Sequence, residues 1–337
     1  MSSSALASFQ HARILIAGAG AIGCTLAARL AAAGHDVSVL ARGRTLQALR
    51  DHGVHLDDLE GQMRVAVRAV ADVRGLGAQD LVLLCSKSQD LADLAEQAQP
   101  AIGPDTVILP LVNGVPFWFF HRHGGRFEGE TVRSVDPDGR LRALLPPEQV
   151  LGAVVFVTAE ATEPGRVTSR TPHLLMLGEP GGGLSERLER VCALVRSSGI
   201  EARPLERIRD KLWTKLIANL TSNPLSVLTG ATLGEIYSDP RWLPTVKALM
   251  HEVMLTASAY GARLEIDPIE FLRLGAEMGD VRTSMLQDHE RGRPLELAAI
   301  GDAIVELAQR YEVPTPHTSE LLARVRRMSA PTQARAA

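Results

Sequence analysis

Aromatic residues, cysteines and an excess of charge of one sign are all scarce in this 337-residue sequence. The three cysteines, Cys24, Cys85 and Cys192, are scattered among apolar residues, which excludes a disulfide framework and predicts buried free thiols in a reducing compartment. The 36 basic and 39 acidic side chains give a formal charge of −3 and form no basic block, so nucleic acid is not an expected partner.

Long apolar runs are absent as well. No run approaches the roughly 20 residues that a membrane-spanning helix needs, and the first residues lack the pattern of a signal peptide. No internal repeat of fixed period is present, which excludes a solenoid. With 45% hydrophobic residues, the length predicts about two globular domains, and we expect a soluble cytoplasmic protein with no membrane partner.

The segment "RILIAGAGAIGCTLAARLAAAGHDVSVLARG" (13–43) has the order strand, glycine turn, helix, strand of a βαβ unit. Gly18 permits the tight turn, Gly20 lets the backbone approach a pyrophosphate, and Gly23 lets the helix pack closely on the strand. The alternative is a glycine-rich turn without a ligand. The predicted cofactor-binding residues of this turn are Gly18, Ala19, Gly20, Ala21, Ile22 and Gly23.

The end of the second strand predicts which dinucleotide binds. An NAD-selective site usually carries an acidic residue there to accept from the ribose 2′-hydroxyl, but this strand ends in Leu40-Ala41-Arg42 and Asp36 lies at its start. The guanidinium of Arg42, with Arg44 as a second candidate, matches a 2′-phosphate in charge and geometry. The pattern favours NADP(H); the alternative is a solvated loop arginine.

Two further apolar runs, "QDLVLLCSKSQD" and "DTVILPLVNGV", predict strands that are covered on both faces. Polar residues follow each run, and ligands of such sheets bind beyond the carboxyl ends of the strands. We therefore predict that Lys87 and Asn113 lie beside the cofactor, although a lysine in that position is often only solvated.

From about residue 205 the strand pattern stops and helical periodicity replaces it. The helix in "RDKLWTKLIANLTSNPLS" (209–226) carries Lys211, Lys215, Asn219 and Asn223 at four-residue spacing, hence on one face of a largely apolar helix. An amphipathic surface helix is the alternative, but such helices rarely use asparagine where Glu, Lys or Gln supports the helix better.

The predicted fold class is α/β followed by all-α, a Rossmann-type doubly wound sheet and then a helical domain, with the active site in the cleft between them. The predicted domains are an NADP-binding domain at 1–203, with an insert at about 116–149, a helical substrate domain at 204–328, and a flexible tail at 329–337.

From Arg13 to about Arg326 the chain resembles the ketopantoate reductase (2-dehydropantoate 2-reductase) family, whose fold is 6-phosphogluconate-dehydrogenase-like. The resemblance rests on "GAGAIG", "LCSKSQD", "LVNGV", "WTKLIANLTSNPLS" and "SMLQDHERGRPLE", of which the last two are the most particular. It implies an oxidoreductase of pantothenate biosynthesis that reduces 2-dehydropantoate to (R)-pantoate with NADPH. A homodimer is left open.

The resemblance also implies the site residues. Lys215 matches the catalytic lysine and Glu296 the acidic residue that contacts the substrate hydroxyl, while Lys87 and Arg42 match cofactor-phosphate contacts. The matches to substrate-binding residues are Asn113, Asn219, Asn223 and Ser284. A buried lysine with a lowered pKa can protonate the oxygen on which hydride transfer builds charge. Lys211 falls one turn before the motif and is expected to be solvated.

Alternative interpretations stay open for two of these residues. Ser284 alone could be a helix cap, and Glu296 alone could be a first-turn acid after Pro294. Asp90 stands where many family members have glutamine, which puts one cofactor contact in doubt.

The insert after Asn113 departs from the family pattern. It concentrates aromatic side chains at 117–120, and "DPDG" at 136–139 predicts a β-hairpin. The aromatic residues could anchor the insert to the core, or part of the insert could wall the cleft and change substrate choice. No metal site is expected, because His121 and His123 lack a supporting ligand cluster.

We therefore expect an NADPH-dependent reductase of a 2-oxo acid, with 2-dehydropantoate as the first substrate to test. The alternatives are a related reductase that acts on another 2-oxo acid or on an imine, and a non-catalytic NADP-binding sensor.

Overall fold

The computed structural model describes residues 11–329, and the contacts divide the chain into two compact units. The first unit holds the chain up to Val112, Trp118–Glu130 and Gly139–Ile208; the second holds Asn113–Phe117, Thr131–Asp138 and the chain from Arg209 on. The predicted boundary after residue 203 falls inside a strand that is paired with its neighbour in a sheet. The two units therefore divide later in the chain than predicted. Most of the predicted tail, 330–337, lies outside the described residues.

The strands of the first unit are β1 (Arg13–Ala17), β2 (Asp36–Leu40), β3 (Val54–Asp58), β4 (Gly61–Val65), β5 (Arg68–Val70), β6 (Leu81–Leu84), β7 (Val107–Pro110), β8 (Gly152–Phe156), β9 (Ala159–Glu163), β10 (Arg166–Ser169), β11 (Leu174–Gly178) and β12 (Glu201–Leu205). Its helices are α1 (Ala21–Ala32), α2 (Gly43–His52), α3 (Leu91–Ala98), α4 (Arg140–Leu144) and α5 (Glu186–Ser197).

A five-stranded parallel sheet in the order β5-β2-β1-β6-β7 confirms the Rossmann-type prediction. Strands β1 and β6 are buried almost throughout, which is why they read as continuous apolar runs. Ala17 is in register with Leu40 and with Leu84, so β1, β2 and β6 end at the same edge. The residues that follow these three strands therefore lie at that one edge of the sheet.

Two smaller sheets complete this unit, in the orders β4-β3-β10-β9 and β12-β11-β8. In the second of them, β11 pairs with β12 in parallel and with β8 in antiparallel orientation, and Leu175 and Leu177 of β11 are buried. A single bridge between Ile108 and Val150 joins β7 to the segment before β8.

The aromatic cluster of the insert is part of the core. Trp118, Phe119 and Phe120 are at most 2% exposed, and the rings of Phe119 and Phe120 meet edge to face at 5.0 Å. A Cβ on Gly152 would stand 2.7 Å from the Trp118 ring, so a glycine is needed beneath the indole. Each buried aromatic side chain stabilises the fold by about 2–3 kcal/mol, which agrees with an anchoring role.

The predicted hairpin at 136–139 is wrong. Residues 116–149, all within the described chain, contain no strand, and the turn leads directly into α4. Gly139 takes the left-handed conformation with φ at 69° just before that helix. The following residues, RLRAL, are strong helix formers without β-branching, so a second strand is disfavoured.

The second unit is helical, and its residues 209–329 contain no strand. Its helices are α6 (Ile208–Thr229), α7 (Leu233–Ser238), α8 (Leu243–Ala259), α9 (Pro268–Glu277), α10 (Ser284–Glu290), a π-helix at Ala298–Asp302, α11 (Ala303–Arg310) and α12 (Pro316–Ser329). The fold class is therefore confirmed. Between residues 11 and 329, no helix is both long and apolar enough to cross a membrane.

The packing of this unit depends on aromatic rings and on one buried carboxylate. Trp213 of α6 stacks on Tyr260 at 6.0 Å, and the Tyr260 hydroxyl donates to the Leu307 carbonyl at 3.0 Å. Glu252 of α8 accepts from the backbone N–H groups of His317 and Thr318 at 2.8 and 2.9 Å. It thus caps α12, whose own N-terminus carries orphan donors.

Candidate functional site

The glycine turn after β1 has room only for glycine at two positions. Gly18 takes φ at 99°, and a Cβ there would stand 2.3 Å from the Cys85 carbonyl oxygen. A Cβ on Gly23 would stand 1.9 Å from the Gly18 carbonyl oxygen. Strand β6, the turn and α1 therefore approach each other more closely than any side chain would permit.

Gly20 has a different environment from its neighbours. A Cβ there would meet nothing within 4 Å, and Gly20 is the N-cap of α1, whose first turn, Ala21 to Cys24, is neutral. Free N–H groups at a helix start beside open space suit an anion. The turn thus fits the pyrophosphate of a dinucleotide, and that group would lie against the backbone from Gly18 to Gly23.

The other predicted cofactor residues follow the ends of adjacent strands. Arg42 comes just after β2 and is the N-cap residue of α2, where its side chain is exposed. Asp36 is at the opposite end of β2, in register with Arg13. Lys87 is partly buried and follows β6, whose next residue, Cys85, donates its N–H to the Ala17 carbonyl. Arg42 and Lys87 therefore share the glycine turn's edge of the sheet.

Helix α6 carries the predicted catalytic row. Lys215 is partly buried, and burial lowers the pKa of its ammonium. Asn219 and Asn223, one and two turns further on, are 7% and 5% exposed. Lys211 instead faces solvent and pairs with Glu265 at 3.9 Å, where water screens the interaction. Along this face of α6, the polar residues therefore change from a solvated charge at Lys211 to buried amide groups at Asn219 and Asn223.

Asn219 has one hydrogen-bond donor that is not used. Its Nδ2 is buried and has no partner among the residues that the structure describes. Buried donors are normally paired, because an unpaired one costs about 1–3 kcal/mol. An amide N–H of this kind, one turn from Lys215, is suited to an oxygen atom of a bound ligand.

Asn113 belongs to the same unit as Lys215. The residues that follow Asn113 are held in that unit by a contact that the sequence does not reveal. The N–H of Val115 donates to the Ala299 carbonyl at 2.9 Å, within the π-helix. Gly114 takes φ at 91°, and a Cβ there would stand 2.5 Å from that of Ala299. The wider turn of a π-helix changes the backbone pairing and is common at functional sites. It holds the Asn113 segment against the helix that follows Glu296.

Glu296 is 5% exposed and lies two residues before this helix, where its carbonyl accepts from the Ile300 N–H at 3.1 Å. The sequence-based alternative, an acidic residue at a helix start after Pro294, stays a prediction beside the substrate contact, and in either role the Glu296 carboxylate is buried. A carboxylate in such a position can accept a hydrogen bond from a ligand hydroxyl.

Ser284 is exposed at the first position of α10, and it is not the cap of that helix. The cap is Thr283, whose Oγ1 accepts from the Leu286 N–H at 3.1 Å. Thr283 is also 2.6 Å from the Ser226 Oγ of α6. The start of α10 is thereby tied to the helix that carries Asn219 and Asn223. Sequence reasoning missed both Ser226 and Thr283, because neither stands out in a single sequence.

The predicted residues fall into two groups. The glycine turn, Arg42 and Lys87 lie in the first unit. The second unit contains the other six residues, Asn113, Lys215, Asn219, Asn223, Ser284 and Glu296. The first group suits a dinucleotide, and the second offers a cation, neutral donors and one buried carboxylate.

Comparison with known proteins gives the family. The family model described as ketopantoate reductase PanE/ApbA matches residues 14–182, and the model of its C-terminal domain matches residues 207–329. This chain belongs to the ketopantoate reductase family. Members of that family are oxidoreductases that reduce ketopantoate to pantoate with a nicotinamide cofactor.

Individual ketopantoate reductases are similar over almost the whole chain. The 2-dehydropantoate 2-reductase of Mesorhizobium japonicum is 38% identical over 94% of this chain and 98% of its own length. A solved structure from Ralstonia solanacearum MolK2, provisionally assigned as a ketopantoate reductase, has a TM-score of 0.89 at 39% identity, covering 96% and 99% of the two chains. The 2-dehydropantoate 2-reductase structure from Geobacter metallireducens GS-15 has a TM-score of 0.83 at 27% identity, covering 94% and 99%.

Proposed function

We propose that this chain is a cytoplasmic NADPH-dependent reductase of 2-oxo acids and that its substrate is 2-dehydropantoate, which it converts to (R)-pantoate. The observation that carries the proposal is the row on α6, where Lys215 with its lowered pKa precedes the unused Nδ2 donor of Asn219 by one turn. Three buried free thiols support a reducing compartment.

The reaction needs a hydride donor, which NADPH supplies when it is bound. Addition of hydride to C2 of a 2-oxo acid turns the carbonyl oxygen into an alkoxide, and that charge must be met by a proton or a fixed donor. The ammonium of Lys215 donates the proton. Its burial makes it a stronger acid than a solvated lysine, so the transfer is more favourable.

The neighbouring groups orient the substrate. The Asn219 Nδ2 donates to a substrate oxygen, and Asn223 and Asn113 provide further amide groups. The Ser284 hydroxyl binds the substrate carboxylate, while Glu296 accepts from the hydroxyl of the substrate or the product. Fixed, mostly neutral donors cost little reorganisation when charge develops on the oxygen.

The preference for NADPH depends on Arg42. The exposed guanidinium after β2 is suited to a 2′-phosphate, and the acidic residue that an NAD site would place there is missing, since Asp36 is at the other end of the strand. Arg44, in the first turn of α2, is a second cation for the same group.

A panel of 2-oxo acids with NADPH and with NADH tests the proposal. We expect the highest kcat/KM for 2-dehydropantoate with NADPH and a clear loss with NADH. Binding of NADPH without oxidation of the cofactor by any member of the panel would instead support a non-catalytic sensor.

The insert favours a second candidate, a reductase of another 2-oxo acid or of an imine. Residues 131–138 belong to the same unit as Lys215, and Glu306 of α11 holds them by accepting from the N–H groups of Arg133 and Ser134 at 2.9 and 2.7 Å. A firmly held extra segment in the catalytic unit can alter substrate choice. Including bulkier 2-oxo acids and a cyclic imine in the panel separates the two candidates.

A further inference from the structure

Two side-chain hydroxyls and one backbone N–H connect α10 to α6 in the second unit. The Leu286 N–H donates to Thr283 Oγ1 at 3.1 Å, Thr283 Oγ1 is 2.6 Å from Ser226 Oγ, and Ser226 Oγ donates to the Asn223 carbonyl at 2.7 Å. We call this series the Ser226–Thr283 relay. Both hydroxyls are buried, at 0% and 6% exposure, so water does not compete for them.

The donors in the relay have only one consistent assignment. Ser226 has a single hydroxyl proton and donates it in the hydrogen bond to the Asn223 carbonyl. In the bond between the two hydroxyls, Ser226 must therefore accept from Thr283. Thr283 Oγ1 in turn accepts the Leu286 N–H. Each hydroxyl therefore donates once and accepts once, and loss of either one leaves a buried partner unsatisfied.

The two ends of the relay lie at proposed substrate contacts. One end is the backbone of Asn223, and at the other end Thr283 directly precedes Ser284. Pro224 follows Asn223 inside the helix and lacks an N–H, so it makes no helical hydrogen bond to the Leu220 carbonyl, one turn earlier. The helix therefore has one hydrogen bond fewer in the turn that ends at Asn223, and the bond from Ser226 to the Asn223 carbonyl adds a contact there.

We propose that Ser226 and Thr283 are positioning residues, which hold Asn223 and Ser284 at the spacing that the 2-oxo acid requires. The inference rests on the proposed function. Neither hydroxyl needs to touch the substrate, because the relay acts through the backbone of Asn223 and through the start of α10.

A simple capping role would not need the relay. The side chain of Thr232, which caps α7 in the same unit, bonds only to Glu235 of its own first turn among the described residues. Thr283 performs the same capping task but adds the bond to α6. A matched pair of variants, Thr283→Val and Thr232→Val, therefore separates loss of a cap from loss of the relay.

The experiment measures KM for 2-dehydropantoate, kcat, the Kd for NADPH and Tm. Ser226→Ala is the safest variant, since alanine is the best helix former. We expect Ser226→Ala and Thr283→Val each to raise KM about tenfold, as when one hydrogen bond to a charged group is weakened. We expect kcat to fall much less and the Kd for NADPH to stay unchanged. Thr283→Ser should restore KM.

Two further results discriminate between the roles. The double variant should raise KM no more than the stronger single variant, because both changes break the same chain of bonds. Thr232→Val should lower Tm and leave KM at the wild-type value. If Ser226→Ala and Thr283→Val lower Tm alone and keep the wild-type KM, the relay is only structural and the inference is wrong. An inactive wild-type protein would contradict the proposed function and the inference with it.

Discussion

Replacement of Lys215 by alanine is the sharpest perturbation of the proposed chemistry. It removes the partly buried ammonium and leaves the unused Nδ2 donor of Asn219 one turn away. Loss of a positioned general acid costs about 10²–10⁴ in rate, which corresponds to about 3–5 kcal/mol of transition-state stabilisation. We expect kcat for 2-dehydropantoate to fall by that factor and the Kd for NADPH to stay unchanged.

Lys211→Ala is the matched control. Lys211 lies one turn earlier on the same helix and pairs weakly with Glu265 at the surface, so its loss should leave kcat unchanged. In stopped-flow single turnovers, Lys215→Ala should slow hydride transfer itself, and added methylammonium should restore part of the rate.

The pH dependence gives an independent measurement of the same role. Burial lowers the pKa of Lys215, and the protonated form is the one that donates. Wild-type kcat should therefore fall as the pH rises through that lowered pKa. The kcat of the Lys215→Ala variant should not show this decrease. A Lys215→Ala enzyme with near wild-type kcat would refute the assignment.

Three further predictions concern the cofactor, the π-helix and the insert. Arg42→Ala should raise KM for NADPH about 10- to 100-fold, as for loss of a charge-assisted hydrogen bond, and leave KM for NADH unchanged. Gly114→Ala forces φ near 91° and a 2.5 Å approach to Ala299, so the free energy of unfolding should fall by about 1–3 kcal/mol in a denaturant titration. Burial opposes ionisation of Glu306, but hydrogen bonds from Ser134 and its neighbours outweigh it and lower the pKa of the carboxyl. The carboxylate thus stabilises the fold above its ordinary pKa, and this contribution is lost as the pH falls through the lowered value. Glu306→Gln should lower Tm at neutral pH and weaken its decline in acid.

The parts of the fold that repeat a local pattern could be predicted from the sequence. The run around Gly18, Gly20 and Gly23 specifies a strand, a turn and a helix through short-range sterics, and the four-residue spacing of Lys215, Asn219 and Asn223 specifies one face of a helix. Both features depend on neighbours in the chain, so a single sequence contains the necessary information.

The features that the sequence did not reveal depend on distant contacts. The hairpin prediction at 136–139 failed because Gly139 starts a helix and because Glu306, far along the chain, holds the preceding residues. The π-helix that receives Val115 has no sequence signature, and the Ser226–Thr283 relay joins residues 57 positions apart. Pairings of this kind are fixed by tertiary packing, which local propensity does not encode.

Reduction of 2-dehydropantoate by this protein is checked by measuring the consumption of NADPH by the purified protein with that substrate, together with chiral analysis of the product. We expect one (R)-pantoate for each NADPH oxidised and a kcat/KM above that for every other 2-oxo acid in the panel. Absence of NADPH oxidation above background with 2-dehydropantoate, from a protein that binds NADPH, would contradict it.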